Sequence, residues 1–518
     1  MPKTISLANL IHEANVAITH DNVIAEGVQV TGVSDDSRFV EPGNVFVARE
    51  PEHAISQQHA QQAIKRGAAA VLVAEEVNIP LADDALPVLK HPNPARALGP
   101  LVHAFHEHPS RQLACLGITG TNGKTTTAAI MKQILDSAGV PCGLLGTIEI
   151  DDGRDVKPAE LTTPGAVELS GILNRMVEHG CSAVAMEVSS HALEQGRVAG
   201  MEFAAGVFTN LSGDHLDYHG SMEMYAQAKA QLFTSLSSNA LAVVNACDSS
   251  SRVMVDGFKG ESIGVCVGEH DPLLPTTHVV RVVIESMDID GMTLGFQTPW
   301  GNSEARVALV GDHNAFNVGC AVAVAVGMQA DTSITFESAM KSLPSVRAPR
   351  GRLEPVHSDD DDIHVFVDYA HTDDAIVNVL RAVRPVVPAT GRLVVVFGAG
   401  GDRDRTKRSR MAVAACEGAD VVMVTSDNPR TEDPEKIVEE ILAGVPVQHR
   451  DRVEYAVDRS EAIHQSIRSS QPSDVIIIAG KGHEDYQIIG HTKHHFDDLE
   501  IAQDALRLRA QGSNGGHV

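Results

Sequence analysis

Short apolar runs alternate with helical patterns along most of the chain, and this alternation restricts the folds that are open to it. Most of the runs are continuously apolar, as expected of strands that are covered on both faces. The alternation predicts parallel sheets with right-handed helical crossovers, and therefore an α/β fold. The predicted strands are 69–73, 183–186, 241–244, 365–367, 393–397, 421–424 and 475–478, and the predicted helices include 125–138, 222–236 and 434–442.

The length of 518 residues fits about three domains, at roughly 150 residues each. One boundary is expected near residues 109–111, just before a strand that leads into a glycine-rich loop. Another is expected in the stretch 344–352, because its Pro, Gly and Arg residues favour turns. The sequence therefore predicts an N-terminal domain over residues 1–111, a central domain over 112–345 and a C-terminal domain over 346–518.

The charge balance excludes two classes of partner. Lys and Arg number 41 and Asp and Glu number 68, so the formal net charge is −27. A chain this acidic is not expected to bind nucleic acid or an anionic membrane surface.

We find no apolar run long enough for a membrane span, no signal-like N-terminus, and seven scattered cysteines without a CxxC pair. These features predict a cytoplasmic protein with reduced thiols.

The strongest motif is the glycine-rich segment 117–127, which reads GITGTNGKTTT between a predicted strand and a predicted helix. Gly120 and Gly123 allow backbone N–H groups to approach a phosphate chain closely. Lys124 adds a positive charge at the start of the helix, and Thr125 adds a hydroxyl that suits magnesium. The segment therefore predicts a nucleotide triphosphate site.

Two further residues are candidate metal ligands, since a nucleotide triphosphate binds together with Mg²⁺ and this ion prefers oxygen donors. Glu187 follows the predicted strand 183–186, so we expect its carboxylate at the ligand-binding edge of a parallel sheet. His215 lies in a polar segment after the strand-like run 206–209, and we expect it to bind the metal as well.

Lys229 shares one face of a predicted helix with Tyr225 and Phe233, which are four residues away on either side. A lysine on such an apolar stripe often extends its ammonium group to solvent. Burial could instead make the amine reactive towards CO₂, which would give a carbamate that binds metal as a carboxylate does. The residues alone leave both alternatives open.

Several segments then occur together in a fixed order, and they resemble the Mur ligase family from about residue 30 to residue 490. In particular, they are similar to the branch of the family that adds diaminopimelate. Besides the glycine-rich loop, the segments are MEVSSH (186–191), FTNLS (208–212), DHLDYHG (214–220), DYAHT (368–372), GGDRD (400–404), DNPR (427–430) and GKGHE (480–484).

The resemblance implies three domains with distinct tasks. A smaller N-terminal α/β domain holds the UDP end of the substrate, a central P-loop-type domain with a parallel or mixed sheet binds ATP, and a C-terminal Rossmann-like domain brings the amino acid. ATP would phosphorylate the D-Glu γ-carboxylate of UDP-N-acetylmuramoyl-L-Ala-D-Glu, and an amine would then attack the acyl phosphate. The family also implies Mg²⁺, a carbamoylated Lys229, small-molecule partners only, and a monomer.

Residues at matching positions give the implied binding sets. For catalysis they are Lys124, Glu187, His215 and Lys229, and for the metal they are Thr125, Glu187, His215 and carbamoylated Lys229. For ATP they are Gly120, Thr121, Asn122, Gly123, Lys124, Thr125, Thr126, Asn314, Asn317, Arg352 and Asp368. For the UDP-muramoyl dipeptide they are Asp35, Ser37, His53, Ala54, Thr162, Thr163, Ser189, Gln195 and Arg197; the chain departs from the family pattern after Ala48. For the amino acid they are Arg403, Asp427, Asn428, Pro429, Arg430, Gly480 and Glu484.

Arg430 indicates which amino acid is added. Meso-diaminopimelate carries a second carboxylate where lysine carries only an amine, and a guanidinium group can bind a carboxylate through two parallel hydrogen bonds. A turn after strand 421–424 would not by itself require an arginine. The alternatives are the same reaction with L-lysine, and an ATP-binding regulatory homologue that has lost ligase activity.

Overall fold

The computed structural model describes residues 3–20, 27–50, 52–80, 86–213, 216–328, 334–357 and 362–514. The fold is α/β, as predicted, and it contains three large sheets. The chain divides into two compact units. The first is Met1–Arg281, Thr298–Gly301 and Val318–Ser342, and the second is Val282–Gln297, Asn302–Asn317 and Leu343–Val518. The domain boundaries after residues 111 and 345 stay predictions.

The N-terminal sheet is built mainly from short parallel strands. Its order is β2-β7-β6-β5-β4, and only β2 runs antiparallel to its neighbour. The elements are β1 (Ile5–Ser6), α1 (Leu7–Ala14), β2 (Thr19–His20), β3 (Gln29–Val30), β4 (Gly32–Ser34), β5 (Asn44–Val47), α2 (His53–Lys65), β6 (Ala70–Ala74), β7 (Val88–His91), α3 (Pro94–Phe105) and a 3₁₀ turn (Pro109–Arg111).

The central sheet carries the glycine-rich loop. Its order is β11-β10-β9-β12-β8-β13-β14-β15, and the strands from β9 to β15 in that order are parallel. The elements are β8 (Ala114–Thr119), α4 (Lys124–Ser137), β9 (Cys142–Leu145), β10 (Glu149–Asp151), β11 (Val156–Pro158), α5 (Ala166–Glu178), β12 (Ala183–Glu187), α6 (Ser190–Glu194), β13 (Ala205–Phe208), α7 (Leu216–His219), α8 (Met222–Thr234), β14 (Leu241–Asn245), α9 (Ser251–Val255) and β15 (Glu261–Val267).

Three longer strands follow, and each is hydrogen-bonded to the next. They are β16 (His278–Asp288), β17 (Gly291–Thr298) and β18 (Gly301–Val307), followed by α10 (Asp312–Gly327), α11 (Phe336–Ser342) and a 3₁₀ turn (Leu343–Ser345). Helix α10 consists largely of small apolar residues, and its side chains from Val318 to Val326 are buried.

The C-terminal sheet has the order β19-β20-β24-β21-β22-β23, with all strands parallel except β19. Its elements are β19 (Glu354–Val356), β20 (His364–Asp368), α12 (Asp373–Val383), a 3₁₀ turn (Arg384–Val386), β21 (Leu393–Ala399), α13 (Thr406–Gly418), β22 (Val421–Ser426), α14 (Pro434–Ala443), a 3₁₀ helix (Val447–Arg452), β23 (Val453–Tyr455), α15 (Arg459–Ser469), β24 (Val475–Ala479), the hairpin strands β25 (Tyr486–Ile489) and β26 (Thr492–His495), and α16 (Asp498–Asn514).

The predicted strands and helices are confirmed to within a few residues. The continuously apolar strands are buried on both faces, as the pattern predicts: all seven residues of β21 and all five of β24 are buried. In both large parallel sheets, loops that leave the carboxyl ends of adjacent strands carry the polar motifs. This arrangement places each candidate site at a single sheet edge.

Candidate functional site

The glycine-rich loop connects β8 to α4, and its backbone adopts conformations that favour glycine. Gly120 has φ +151° and Gly123, the N-cap of α4, has φ +84°. A Cβ on Gly120 would lie 1.9 Å from the hydroxyl of Thr209. Lys124 Nζ donates to the carbonyls of Gly120 and Thr121, both at 2.8 Å. A lysine and the N-terminus of a long helix therefore meet at this loop, which suits a phosphate chain.

The segment after β13 holds this loop in place. The backbone N–H of Thr121 donates to the carbonyl of Asn210 at 2.9 Å, and that of Asn122 donates to the side-chain oxygen of Asn210 at 3.0 Å. The hydroxyl of Thr209 donates to the carbonyl of Asn122 at 2.6 Å. The loop is thus shaped by hydrogen bonds from the neighbouring strand as well as by its glycines.

Glu187 ends β12, beside β8, and its carboxylate is almost fully buried. It accepts the backbone N–H of Thr147 at 2.7 Å and the Thr147 hydroxyl at 3.1 Å. A Cβ on Gly146 would lie 2.6 Å from Oε1 of Glu187, so only glycine leaves this oxygen its space. The Glu187 carboxylate and the Thr125 hydroxyl are hard oxygen donors, and this chemistry fits a magnesium ion. His215 lies outside the described residues.

Lys229 is buried on α8, together with Tyr225 and Phe233 on the same face, as the spacing predicts. Its Nζ donates to the carbonyl of Gly120 at 2.9 Å and lies 4.2 Å from the centroid of the Tyr225 ring. The alternative in which this ammonium extends to solvent is therefore wrong. The amine lies instead directly against the glycine-rich loop.

Four of the residues assigned to the muramoyl dipeptide form one hydrogen-bonded group. Thr163 donates through its hydroxyl to the carbonyl of Glu187 at 2.9 Å and accepts the backbone N–H of Ser189 at 3.1 Å. Arg197 donates to the carbonyl of Thr163 at 2.8 Å and, from Nε and Nη2, to the side-chain oxygen of Gln195. These side chains therefore lie next to the end of β12.

Thr162 joins the same network through Thr147. Its hydroxyl lies 3.1 Å from that of Thr147, whose own proton points to the Glu187 carboxylate. Thr162 is therefore the donor of this pair, because the Thr147 hydroxyl has only one proton. The predicted dipeptide residues and the predicted metal ligand are thus parts of one polar network.

The N-terminal candidates occupy two neighbouring places. Ser37 follows β4 and donates to the side-chain oxygen of Gln62, on α2, at 2.8 Å, while His53 and Ala54 begin that helix and are exposed. Asp35 forms an ion pair with Arg49 at 2.9 Å. Arg49 also acts on Arg197, one of the dipeptide candidates: partial burial, and then the positive charge of Arg49, lower the pKa of Arg197.

The nucleotide candidates of the second unit are held by local hydrogen bonds. Asn314 is buried and donates to the carbonyl of Val310 at 2.9 Å, and Asn317 donates to the side-chain oxygen of Asn314 at 3.1 Å. The Arg352 guanidinium lies 4.5 Å from the centroid of the Tyr369 ring.

Asp368 ends β20, and its carboxylate accepts the backbone N–H groups of Leu353 and Ala370, both at 2.8 Å. Desolvation raises the pKa of Asp368 despite these bonds. The carboxylate holds Leu353 in a left-handed conformation with φ +45°, which fixes the backbone immediately after Arg352.

The amino-acid candidates meet where β21, β22 and β24 end, because these strands are adjacent in the sheet. The loop after β22 contains Asp427, Asn428, Pro429 and Arg430, and the loop after β24 contains Gly480 and Glu484. Asn428 donates to Oε2 of Glu484 at 2.9 Å, and the backbone N–H of Gly401 donates to the carbonyl of Asn428 at 2.9 Å. Arg403 lies in the loop after β21 and is exposed.

The backbone of Arg430 is held by strand β25. Its N–H donates to the carbonyl of Ile488 at 3.0 Å, and its carbonyl accepts the N–H of Gly490 at 2.7 Å. Arg430 has φ +52°, a conformation that non-glycine residues rarely adopt, and its Nη1 donates to the carbonyl of Gly401 at 2.8 Å. The guanidinium group is thus fixed in position.

Sequence reasoning missed several residues that support the site. Thr147 holds Glu187, Arg49 brings a second cation near Arg197, and Gln487 donates to the carbonyl of Asp427 at 2.7 Å. Lys481 lies between Asp427 and Glu484. Of these, only Lys481 had a signal in the sequence, since it lies within the motif 480–484.

Comparisons with known proteins show which domains and proteins this chain resembles. Residues 118–325 match the Mur ligase middle domain, and residues 351–482 match the Mur ligase, glutamate ligase domain. The chain is 40% identical over 507 residues to the UDP-N-acetylmuramoyl-L-alanyl-D-glutamate–2,6-diaminopimelate ligase of Gloeobacter violaceus, covering 96% of this chain and 98% of that one.

Solved structures show the same similarity. The structure of a UDP-N-acetylmuramoyl-L-alanyl-D-glutamate–2,6-diaminopimelate ligase aligns with a TM-score of 0.67 and 31% identity, covering 93% of this chain and 95% of that one. A MurF ligase from Thermotoga maritima, solved in complex with ADP, shares the fold with a TM-score of 0.58, 15% identity, and coverage of 93% and 98%. Among the residues that the structure describes, we find no helix with the length and hydropathy of a membrane span.

Proposed function

Because the chain belongs to the Mur ligase family, we propose that it joins meso-diaminopimelate to the D-Glu γ-carboxylate of UDP-N-acetylmuramoyl-L-Ala-D-Glu and converts ATP to ADP and phosphate. The observation that carries this proposal is the geometry at the carboxyl ends of β22 and β24. There a positioned guanidinium, Arg430, lies in a loop whose Asn428 is hydrogen-bonded to the Glu484 carboxylate. This pairing suits an amino acid whose side chain ends in both a carboxylate and an ammonium group, as that of meso-diaminopimelate does.

The first step activates the acid. We propose that the backbone of residues 120–125 and the Lys124 ammonium hold the triphosphate, while the group around Thr163 and Arg197 holds the muramoyl dipeptide. The D-Glu carboxylate oxygen attacks the γ-phosphorus, the bond to the β-γ bridging oxygen breaks, and ADP leaves. When bound, Mg²⁺ would neutralise charge on the phosphate oxygens and so lower the barrier to this transfer.

The residues proposed to hold Mg²⁺ are Thr125, Glu187, carbamoylated Lys229 and His215. A carbamate at Lys229 would form when the neutral amine adds CO₂ and releases a proton. The location of Lys229 Nζ, 2.9 Å from the Gly120 carbonyl, supports this role, because the amine lies at the loop that binds phosphate. The test is ¹³C NMR of the protein in ¹³C-bicarbonate, in which a carbamate carbonyl signal should be present for the unmodified chain and absent for Lys229→Met.

The second step forms the amide. The amine of diaminopimelate attacks the carbonyl carbon of the acyl phosphate, and the tetrahedral intermediate expels phosphate. Arg430 would bind the carboxylate at the other end of the amino acid, and Glu484 would bind the ammonium group beside that carboxylate. Asn314, Asn317, Arg352 and Asp368 are proposed to contact the nucleotide. Asp35, Ser37, His53 and Ala54 are proposed to contact the UDP group.

The experiment that tests this function measures phosphate release by the purified chain with a panel of amino acids. Release should require ATP, Mg²⁺, the UDP-muramoyl dipeptide and meso-diaminopimelate together. Equal turnover with L-lysine would contradict the assignment of the amino acid. Binding of ATP without phosphate release in any combination would instead favour a regulatory homologue. We also propose that the chain acts as a monomer in the cytoplasm, which size-exclusion chromatography with light scattering and cell fractionation would check.

A further inference from the structure

Among the described residues of the loop after β24, Lys481 is the one charged residue whose side chain is completely buried. Its side chain is 0% exposed. A lysine without partners in such a place would be strongly unfavourable, so its neighbours must compensate the charge. Lys481 Nζ lies 3.1 Å from Oδ1 of Asn428, 3.4 Å from Oδ1 of Asp427 and 3.6 Å from Oε2 of Glu484.

These contacts determine the orientation of the Asn428 amide. Its oxygen accepts from Lys481 Nζ and also from the backbone N–H of Ile488 at 2.9 Å. Both partners are donors only, since an ammonium group has no lone pair to offer. The NH₂ of Asn428 must therefore point the other way, where it donates to Glu484 at 2.9 Å.

The charges of the two loops are balanced. The loop 427–430 contributes Asp427 and Arg430, and the loop 480–484 contributes Lys481 and Glu484. His483 adds no charge near neutral pH, because burial and the nearby Arg352 lower its pKa to about 4. The nearby Arg459 is neutralised by Asp498, which it contacts at 2.7 and 2.6 Å. The two loops thus carry two cations and two carboxylates.

We propose that Lys481 is a positioning residue that determines amino-acid specificity: it fixes the Asn428 amide and the Glu484 carboxylate, and it keeps the two loops electrically neutral. A neutral site fits the end of diaminopimelate that carries both an ammonium and a carboxylate group. Without Lys481 the loops carry one excess negative charge, which disfavours the carboxylate of diaminopimelate but not the terminal ammonium of L-lysine. This inference rests on the proposed function.

The test compares Lys481→Met with the matched control Lys436→Met, which removes an exposed lysine from α14. For Lys481→Met, kcat/KM for diaminopimelate should fall by about tenfold or more, mainly through KM. Without Lys481, Asn428 and Glu484 would be less well positioned to form hydrogen bonds with the charged groups of diaminopimelate. The KM values for ATP and for the UDP-muramoyl dipeptide should stay within about twofold of the unmodified chain. The ratio of kcat/KM for diaminopimelate to that for L-lysine should fall, whereas Lys436→Met should leave every value unchanged.

A double-mutant cycle separates positioning from a general structural role. If Lys481 acts through Asn428, adding Lys481→Met to Asn428→Ala should cost much less than it costs in the unmodified chain. Additive losses would overturn the proposal, as would an equal fall in kcat/KM for all three substrates. Lys481→Gln, which keeps a donor for the Asn428 oxygen, should recover part of the lost diaminopimelate affinity. If both Lys481 variants lose all activity together with their thermal stability, the residue is structural and the proposal is wrong.

The same series distinguishes this inference from the proposed function. Turnover of diaminopimelate by the unmodified chain, with no change in Lys481→Met, would overturn only the role of Lys481. Failure of the unmodified chain to use diaminopimelate would overturn the proposed function and the inference with it.

Discussion

Thr147 donates twice to Glu187, with its backbone N–H to Oε1 at 2.7 Å and with its hydroxyl to Oε2 at 3.1 Å. Thr147 follows β9 and Glu187 ends β12, and these two strands are adjacent and parallel. Both oxygens of a buried carboxylate are thereby oriented by the protein itself. Such preorganisation matters most where charge develops during a reaction.

Thr147→Val should weaken catalysis while leaving the fold intact. The variant keeps the side-chain shape and the backbone donor. It removes one hydrogen bond to a carboxylate, which contributes roughly 1.5–3 kcal/mol, and also the acceptor of the Thr162 hydroxyl. We expect kcat to fall by about tenfold or more and the magnesium concentration for half-maximal activity to rise. Steady-state assays across a magnesium titration measure both. Thr234→Val, at an exposed position near the end of α8, is the control; an equal effect there would contradict the role of Thr147.

Lys124→Ala should abolish turnover, because its ammonium is the proposed cation at the phosphate loop. We expect kcat/KM for ATP to fall by at least about a hundredfold, the order of magnitude for a lost electrostatic contact to a transferring phosphoryl group. ATP binding by calorimetry and phosphate release measure the two effects separately. Lys157→Ala removes an exposed lysine on β11 and should change neither. Normal turnover in Lys124→Ala would refute the placement of ATP at this loop.

Arg430→Lys should raise the KM for diaminopimelate, although it keeps the positive charge. Lysine cannot form the two parallel hydrogen bonds that a guanidinium makes with a carboxylate. We expect a rise of about tenfold to a hundredfold, with the KM for ATP unchanged. Initial-rate kinetics with each substrate varied in turn provide the measurement, and Arg468→Lys, an exposed position on α15, is the control. A collapse of ATP affinity would place Arg430 at the nucleotide instead.

His103 should make stability depend on pH. It is fully buried on α3, and burial, with smaller contributions from His106 and His108, lowers its pKa from 6.5 to about 3. As the pH falls, the imidazole of the unfolded chain, with its ordinary pKa of 6.5, takes up a proton before the buried imidazole does. The contribution of His103 to the free energy of unfolding is therefore fully present above pH 6.5. It decreases as the pH falls from there towards 3, by about 1.4 kcal/mol per pH unit.

The measurement is the unfolding midpoint of the unmodified chain and of His103→Leu at pH 7 and pH 5. His103 should contribute about 2 kcal/mol to the stability that the unmodified chain loses over this interval, because its buried imidazole carries no proton in the fold. His103→Leu should lose less. His12→Leu, at an exposed histidine on α1, should follow the unmodified chain. Identical pH dependence in the His103 and His12 variants would show that His103 is not the group responsible.

Local pattern was enough to predict the fold class, most strands, and the glycine-rich loop between a strand and a helix at residues 117–127. Continuous apolar runs identify strands that are buried on both faces. A strand, a glycine-rich loop and a lysine at a helix start predict a phosphate site from adjacent residues alone. The motifs 427–430 and 480–484 likewise indicated the amino-acid site, since their residues are contiguous in the chain.

Tertiary structure alone decided how these segments support one another. Thr147 precedes Glu187 by 40 residues and Gln62 follows Ser37 by 25, so no local periodicity links them, and each pair meets only because the sheet and its helices bring distant segments together. The burial of Lys229 against Gly120 likewise depends on the packing of α8 on the loop. Side-chain orientation and desolvation are properties of the assembled interior, where every buried polar group must find a partner, and a sequence does not state which partner it will find.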